Sequence, residues 1–133
     1  MEILKVENVS KKIGKEEILD TINLSIKRNT IFGLVGENGA GKTTLLKIIL
    51  GLYKSDSGDV YIDGLKVNKD IEKCLKNMAG VIDTPGVYDY LSGRRNLEFF
   101  NLLGKNVSTK IIKKIINNLN MNDYIDKPVS KYS

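Results

Sequence analysis

The stretch Gly36-Glu37-Asn38-Gly39-Ala40-Gly41-Lys42-Thr43-Thr44 fits the P-loop pattern GxxxxGK followed by threonine. Its flanks decide what that pattern means. Before it, Thr30-Ile31-Phe32-Gly33-Leu34-Val35 is short and almost wholly apolar, which predicts a strand covered on both faces. After it, Leu45 to Leu50 is apolar nearly all round and is followed by Gly51, which predicts a buried helix with a glycine stop. A strand, a glycine-rich loop and a helix in that order turn the pattern into a phosphate site. Outside that context the same residues would be a glycine-rich turn carrying a surface lysine.

The residue types suit that chemistry. Glycines let consecutive amide N–H groups turn inward toward phosphate oxygens, where side chains would block the approach. A helix starting near Gly41 adds the positive end of its dipole. Lys42 is expected to reach the β- and γ-phosphates, and the Thr43 hydroxyl to hold Mg²⁺.

Composition narrows the alternatives. A length of 133 residues suits one domain with a real core. The chain has no histidine, which excludes a His-based triad or a His-ligated zinc site, and its lone Cys74 excludes an internal disulfide and suits a reducing cytoplasm. No apolar run approaches membrane-spanning length, and Met1-Glu2-Ile3-Leu4-Lys5 does not read as a signal peptide. The net charge of +5 comes from lysines spread along the chain, so a solvated basic surface is expected and no nucleic-acid partner.

Around the P-loop, residues 2–7 and 18–27 read as strands separated by a polar loop from Ser10 to Glu17. Lys27-Arg28-Asn29-Thr30 reads as a turn with Asn29 left-handed. Asp59-Val60-Tyr61-Ile62 reads as a strand ending in the turn Asp63-Gly64. Residues 69–77 suit a short helix or loop, and Ala79-Gly80-Val81-Ile82 a strand ending at Asp83. Beyond that point the pattern is helical. Ser92 is placed to cap a helix to about Leu103 with Leu97, Phe100 and Leu103 on one face. Ser108 is placed to cap a second helix, in which Ile111, Ile112, Ile115, Ile116 and Leu119 form a stripe. Packing on a core explains that stripe, with a membrane-surface helix as the alternative.

The segment Leu34 to Leu46 closely resembles the Walker A segment of ABC transporter nucleotide-binding domains. The likeness continues through Leu50-Gly51-Leu52 and through Ser57-Gly58-Asp59-Val60-Tyr61-Ile62-Asp63-Gly64, which looks like that family's SGxxxxxG hairpin. Pro85-Gly86-Val87-Tyr88 with Leu91-Ser92-Gly93-Arg94-Arg95-Asn96-Leu97 is similar to the bacitracin and lantibiotic export subgroup. A competing resemblance is to Era-type GTPases, through the DxxG element Asp83-Thr84-Pro85-Gly86. Against it stand about thirty residues before the P-loop strand, the strand-rich Asp59–Gly64 segment and the helical character after Gly86. The element NKxD is also absent, since Asn68-Lys69-Asp70-Ile71 has its aspartate displaced. Leu91-Ser92-Gly93 echoes the LSGGQ signature but comes too soon after Asp83, and reads as a helix start.

The ABC resemblance implies an α/β fold: a P-loop NTPase (RecA-like) core with an antiparallel β subdomain over about residues 1–82. A Q-loop and the start of a helical subdomain follow over about 83–133. It implies ATP and Mg²⁺ bound by residues 36–44, with Lys42 stabilising transition-state charge and Asp83 at the Q-loop position as a second metal-side group. Ile13, beside Gly14, falls where the family carries an adenine-stacking ring. The segment Val129-Ser130-Lys131-Tyr132-Ser133 resembles the run into the signature motif, so the signature, the Walker B aspartate and the catalytic glutamate would lie beyond it and the domain would be incomplete. A dimer of nucleotide-binding domains, membrane-spanning permease subunits and a cytoplasmic position on the inner membrane face follow from the same resemblance. A stand-alone nucleotide-binding module is the non-enzymatic alternative.

Overall fold

A computed structural model describes residues 2–82, 86–104 and 107–132. It divides into two compact units, Met1–Thr84 and Pro85–Ser133. In the first, β1 (Glu2–Ile13) and β2 (Glu16–Lys27) form a long antiparallel hairpin. Residues 8–17, expected as mostly loop, instead continue both strands to a tight turn. One face of this sheet meets solvent, so alternation rather than apolar content decides how far the strands run. Bulges interrupt the ladder, and Asn8 and Thr21 both take φ 50. Side chains satisfy the displaced amides: Asn8 N–H donates to Asn23 Oδ1 at 3.0 Å, and Thr21 N–H to Ser10 Oγ at 2.9 Å.

β3 (Ser57–Ile62) pairs with the other edge of β1, and β4 (Leu65–Lys66) turns back on β3. Asp63 and Gly64, at φ 51 and 76, make the two-residue turn that matches strand twist. The order is β2-β1-β3-β4, antiparallel throughout. Asn29 is left-handed at φ 58, as its turn requires. The core joins Val6 and Val9 of β1, Leu19 of β2 and Val60 of β3 to two helices, α1 (Lys42–Ile49) and α2 (Val67–Leu75). Cys74 of α2 is buried there, and burial pushes its thiol pKa up, so it behaves as a small apolar group. α1 ends as the glycine at 51 predicts. Gly51 N–H donates to Ile48 O at 3.0 Å and Leu52 N–H to Lys47 O at 2.8 Å, which satisfies two of the last carbonyls.

Two expected strands are absent from the ladder. Thr30–Val35 and Ala79–Ile82 have no strand assignment, and Ile31 is 104% exposed, Val35 92% and Val81 70%. A strand exists through its neighbours, and the four described strands pair only among themselves. For the same reason α1 buries one face, through Leu45 and Ile48, and leaves Leu46 exposed.

In the second unit, α3 (Gly93–Leu103) starts at Ser92, whose Oγ accepts from Arg95 N–H at 3.2 Å. Buried Asn96 ties down the preceding turn: its Oδ1 accepts from Tyr88 N–H at 2.8 Å, and its Nδ2 donates to Tyr88 O at 3.0 Å and Ser92 O at 3.1 Å. Arg94 clamps Asp126 through two nitrogens, at 2.6 and 3.0 Å. Leu97, Phe100 and Leu103 are exposed, while Gly93 and Asn96 turn inward, because the turn and Tyr132 pack on that side. α4 (Thr109–Asn118) follows Ser108, which has cap geometry without a side-chain cap bond. Of its stripe, Ile116 is buried and Ile111, Ile115 and Leu119 are exposed. Asp83 lies outside the described residues.

Candidate functional site

The loop from Gly36 to Gly41 wraps the N-terminus of α1. Gly39 and Gly41 lie at φ 86 and 80, backbone conformations that L side chains rarely adopt. Gly41 also meets a close approach. A Cβ there would stand 2.7 Å from Ile18 O and 2.8 Å from Leu19 Cδ2. The phosphate-loop glycine thus rests directly on β2, and β2 rests on the core through Leu19.

Gly41 is the N-cap of α1 and has no side chain to cap it, and the first turn holds no acidic residue. The first-turn amides of Lys42, Thr43 and Thr44 therefore lack intrahelical and side-chain acceptors, at the positive end of the helix dipole. Within the loop, Ala40 N–H donates to Glu37 O at 3.2 Å. Lys42 would be poorly placed for the dipole by itself. It is held instead by the loop's own carbonyls, with Nζ donating to Gly36 O at 2.7 Å and Glu37 O at 2.6 Å. An ammonium carries three donors, so one remains for an outside acceptor. Thr43 is exposed beside it.

These residues border a cleft of about 310 Å³, lined by Ile18, Asn38 and the run from Gly39 to Thr44. Uncapped amides, a cation and hydroxyls converge on one concave surface, which fits a polyphosphate. Gly36 and Glu37 serve the site through the carbonyls that anchor Lys42 rather than as walls of the cleft. Ile13 is 49% exposed at the end of β1 and does not line it. Ile18 does. It was legible in the sequence only as an apolar strand residue, because its contact with Gly41 depends on how β2 crosses the loop.

Comparison with known proteins agrees with this geometry. The ABC transporter family profile matches residues 19–133. The chain is 35% identical over 131 residues to an uncharacterized ABC transporter ATP-binding protein of Bacillus subtilis, covering 98% of this chain and 42% of that protein. It is 32% identical over 131 residues to the bacitracin transport ATP-binding protein of Enterococcus faecalis, with 98% and 42% covered. The lantibiotic transport ATP-binding protein of Streptococcus pyogenes is 31% identical over 132 residues, with 98% and 56% covered. A solved ATP-binding subunit of an ABC transporter superposes with a TM-score of 0.81 at 21% identity, over 98% of this chain and 56% of that one, which speaks for the fold. The chain thus spans about half the length of the curated relatives it matches. The GTPase alternative finds no support in these matches. A P-loop braced on an antiparallel hairpin and a profile match over most of the chain lead to one conclusion: the chain belongs to the ABC transporter family, as part of an ATP-binding domain.

Proposed function

We propose that residues 36–44 form the phosphate-binding half of an ABC ATPase site and bind Mg·ATP. The observation that carries this is the uncapped start of α1 facing a cleft, with Lys42 anchored inside the loop. Lys42 would meet phosphate oxygens with its remaining donor and stabilise charge there. Gly39 to Thr44 would offer amide N–H groups, and the Thr43 hydroxyl would hold Mg²⁺ together with the phosphates. Bound Mg²⁺ would supply charge neutralisation at the phosphates. Asp83 keeps only the metal-side role implied by the resemblance.

In the full-length protein we assign about residues 1–82 to the β subdomain and P-loop core, and about 83–133 to the Q-loop and helical subdomain, close to the two compact units of the structure. That protein would work as a pair of nucleotide-binding domains on permease subunits, at the cytoplasmic face of the membrane. The similarity to bacitracin and lantibiotic transport proteins supports peptide antibiotic export as its task. No helix among the described residues is long and apolar enough to cross a membrane. Turnover needs a water-activating carboxylate and a second subunit's donors.

Calorimetric titration with Mg·ATP tests the site. Removing a charge-assisted bond with Lys42→Ala should weaken binding about tenfold to a hundredfold. Unchanged affinity would overturn the proposal.

A further inference from the structure

We propose that Asn38-Gly39 is a site of spontaneous chemical modification in the empty phosphate loop, and that bound polyphosphate protects it. The protection rests on the nucleotide reading above. Asn38 is the one asparagine of the chain that is followed by glycine. The amide nitrogen after an asparagine can close on its carboxamide carbon, and glycine puts no side chain in the way. Neither reacting group is tied down. Asn38 is exposed, and neither its carboxamide nor the Gly39 N–H has a hydrogen-bond partner among the described residues. The space around Gly39 is open, with nothing within 4 Å of where a Cβ would stand. One hydrogen bond closes the turn that carries the pair, from Ala40 N–H to Glu37 O at 3.2 Å. Other asparagines differ. The carboxamides of Asn8, Asn23, Asn96 and Asn101 are hydrogen-bonded. Exposed Asn29, Asn68 and Asn77 precede threonine, lysine and methionine, whose side chains crowd the attacking nitrogen.

In the first step the Gly39 nitrogen gives up its proton and attacks Asn38 Cγ. The N–Cγ bond forms, the Cγ–Nδ2 bond breaks, and ammonia leaves with the proton. Water then opens the cyclic imide. Opening at Cγ gives aspartate, and opening at the Asn38 main-chain carbonyl gives isoaspartate, whose backbone runs through an extra methylene. Nothing is oxidised or reduced, and solvent water is the co-reactant. Either product places a carboxylate in a cleft that Asn38 lines together with Lys42 and Thr43, where it repels phosphate oxygens. Isoaspartate also displaces the amides that follow it. The attacking nitrogen is one of the donors assigned above to phosphate. A bound polyphosphate therefore holds its proton and fixes the turn, and the reaction runs in the empty site.

Incubating the full chain in mildly alkaline buffer, with and without Mg·ATP, and mapping its peptides by mass spectrometry for aspartate and isoaspartate tests this. Asn38 should convert before any other asparagine. Ligand at about ten times its dissociation constant leaves roughly one site in eleven free, so conversion should slow about tenfold. Affinity for Mg·ATP should fall in step with conversion, and Asn38→Asp should bind about three- to tenfold more weakly than wild type. Asn38→Gln, whose longer side chain cyclises far more slowly, should keep whatever affinity it starts with. An Asn38 that persists while Asn29, Asn68 or Asn77 converts overturns the proposal, as does an equal loss of affinity with time in Asn38→Gln. Conversion at full rate in protein that calorimetry shows to be loaded with Mg·ATP defeats this proposal and leaves the nucleotide reading standing. Freshly prepared protein that binds no Mg·ATP defeats both.

Discussion

β1 and the run Thr30–Val35 lie in the same unit and have opposite fates. β1 is a mixed sequence, EILKVENVSKKI, with charged residues at nearly half its positions, yet Val6 and Val9 are 2% and 0% exposed. Thr30–Val35 is the more apolar by far, and Ile31 and Val35 stand in solvent. The difference is partners. β1 has a ladder on each edge, to β2 and β3, and helices over one face. Thr30–Val35 has no ladder among the described residues. Apolar content therefore predicts a strand only where something is present to pair with it, and such an unpaired run is a site for association.

The sharpest test of this contrast sets two isoleucines side by side. Ile48 packs under the sheet at 2% exposure, so Ile48→Ala should cost about 2–5 kcal/mol, read from the urea midpoint. A loss under about 1 kcal/mol would mean that the core is looser than its burial implies. Next in size is amide exchange. The paired amides of β1 should exchange at rates set by global unfolding, and those of residues 31–35 should exchange almost freely. Protection of 31–35 that grows with protein concentration would show that the run has found a partner in a second copy.

A smaller effect concerns the fastening of β1 to the turn before β3. Asp56 accepts from Lys11 Nζ at 2.7 Å and from Lys12 N–H at 2.7 Å. The Lys11 hydrogen bond and then the Lys12 amide hold the Asp56 carboxyl below its usual value of 3.8. A folded-state pKa that is depressed contributes stability above the unfolded value, and this is lost as pH falls through the folded one. Wild type should therefore lose its advantage over Asp56→Asn as pH drops below about 3.8, in melting temperature against pH. A constant difference down to strongly acid pH would remove the carboxylate from the account. The smallest expected effect is Ile31→Ala, within about 0.5 kcal/mol of wild type because the side chain buries nothing in this chain. A cost as large as that of Ile48→Ala would erase the contrast.

Much of the site was legible in the sequence because its function depends on local geometry. Glycines at 39 and 41, a lysine and a threonine at the start of a helix carry their meaning in spacing alone, and the structure places them around one cleft. The Asp63-Gly64 turn, the Ser92 cap and the Gly51 stop were readable for the same reason, since each involves only neighbours in the chain. What could not be read depends on distant partners. The continuation of β1 and β2 to residues 13 and 16 depends on each supplying the other's hydrogen bonds. Likewise, α3 turns Asn96 inward rather than Leu97, because the turn at 88–92 needs a carboxamide.

By itself, then, the sequence determined that this chain carries a phosphate-loop pattern, since amide direction and cation placement are set within nine consecutive residues. Only the tertiary structure decided that Gly41 leans on β2, that Ile18 rather than Ile13 borders the cleft, and that the apolar run before the loop has no ladder among the described residues. Those outcomes depend on which segments meet in space, and burial and hydrogen bonding reward a segment only when its partner is there.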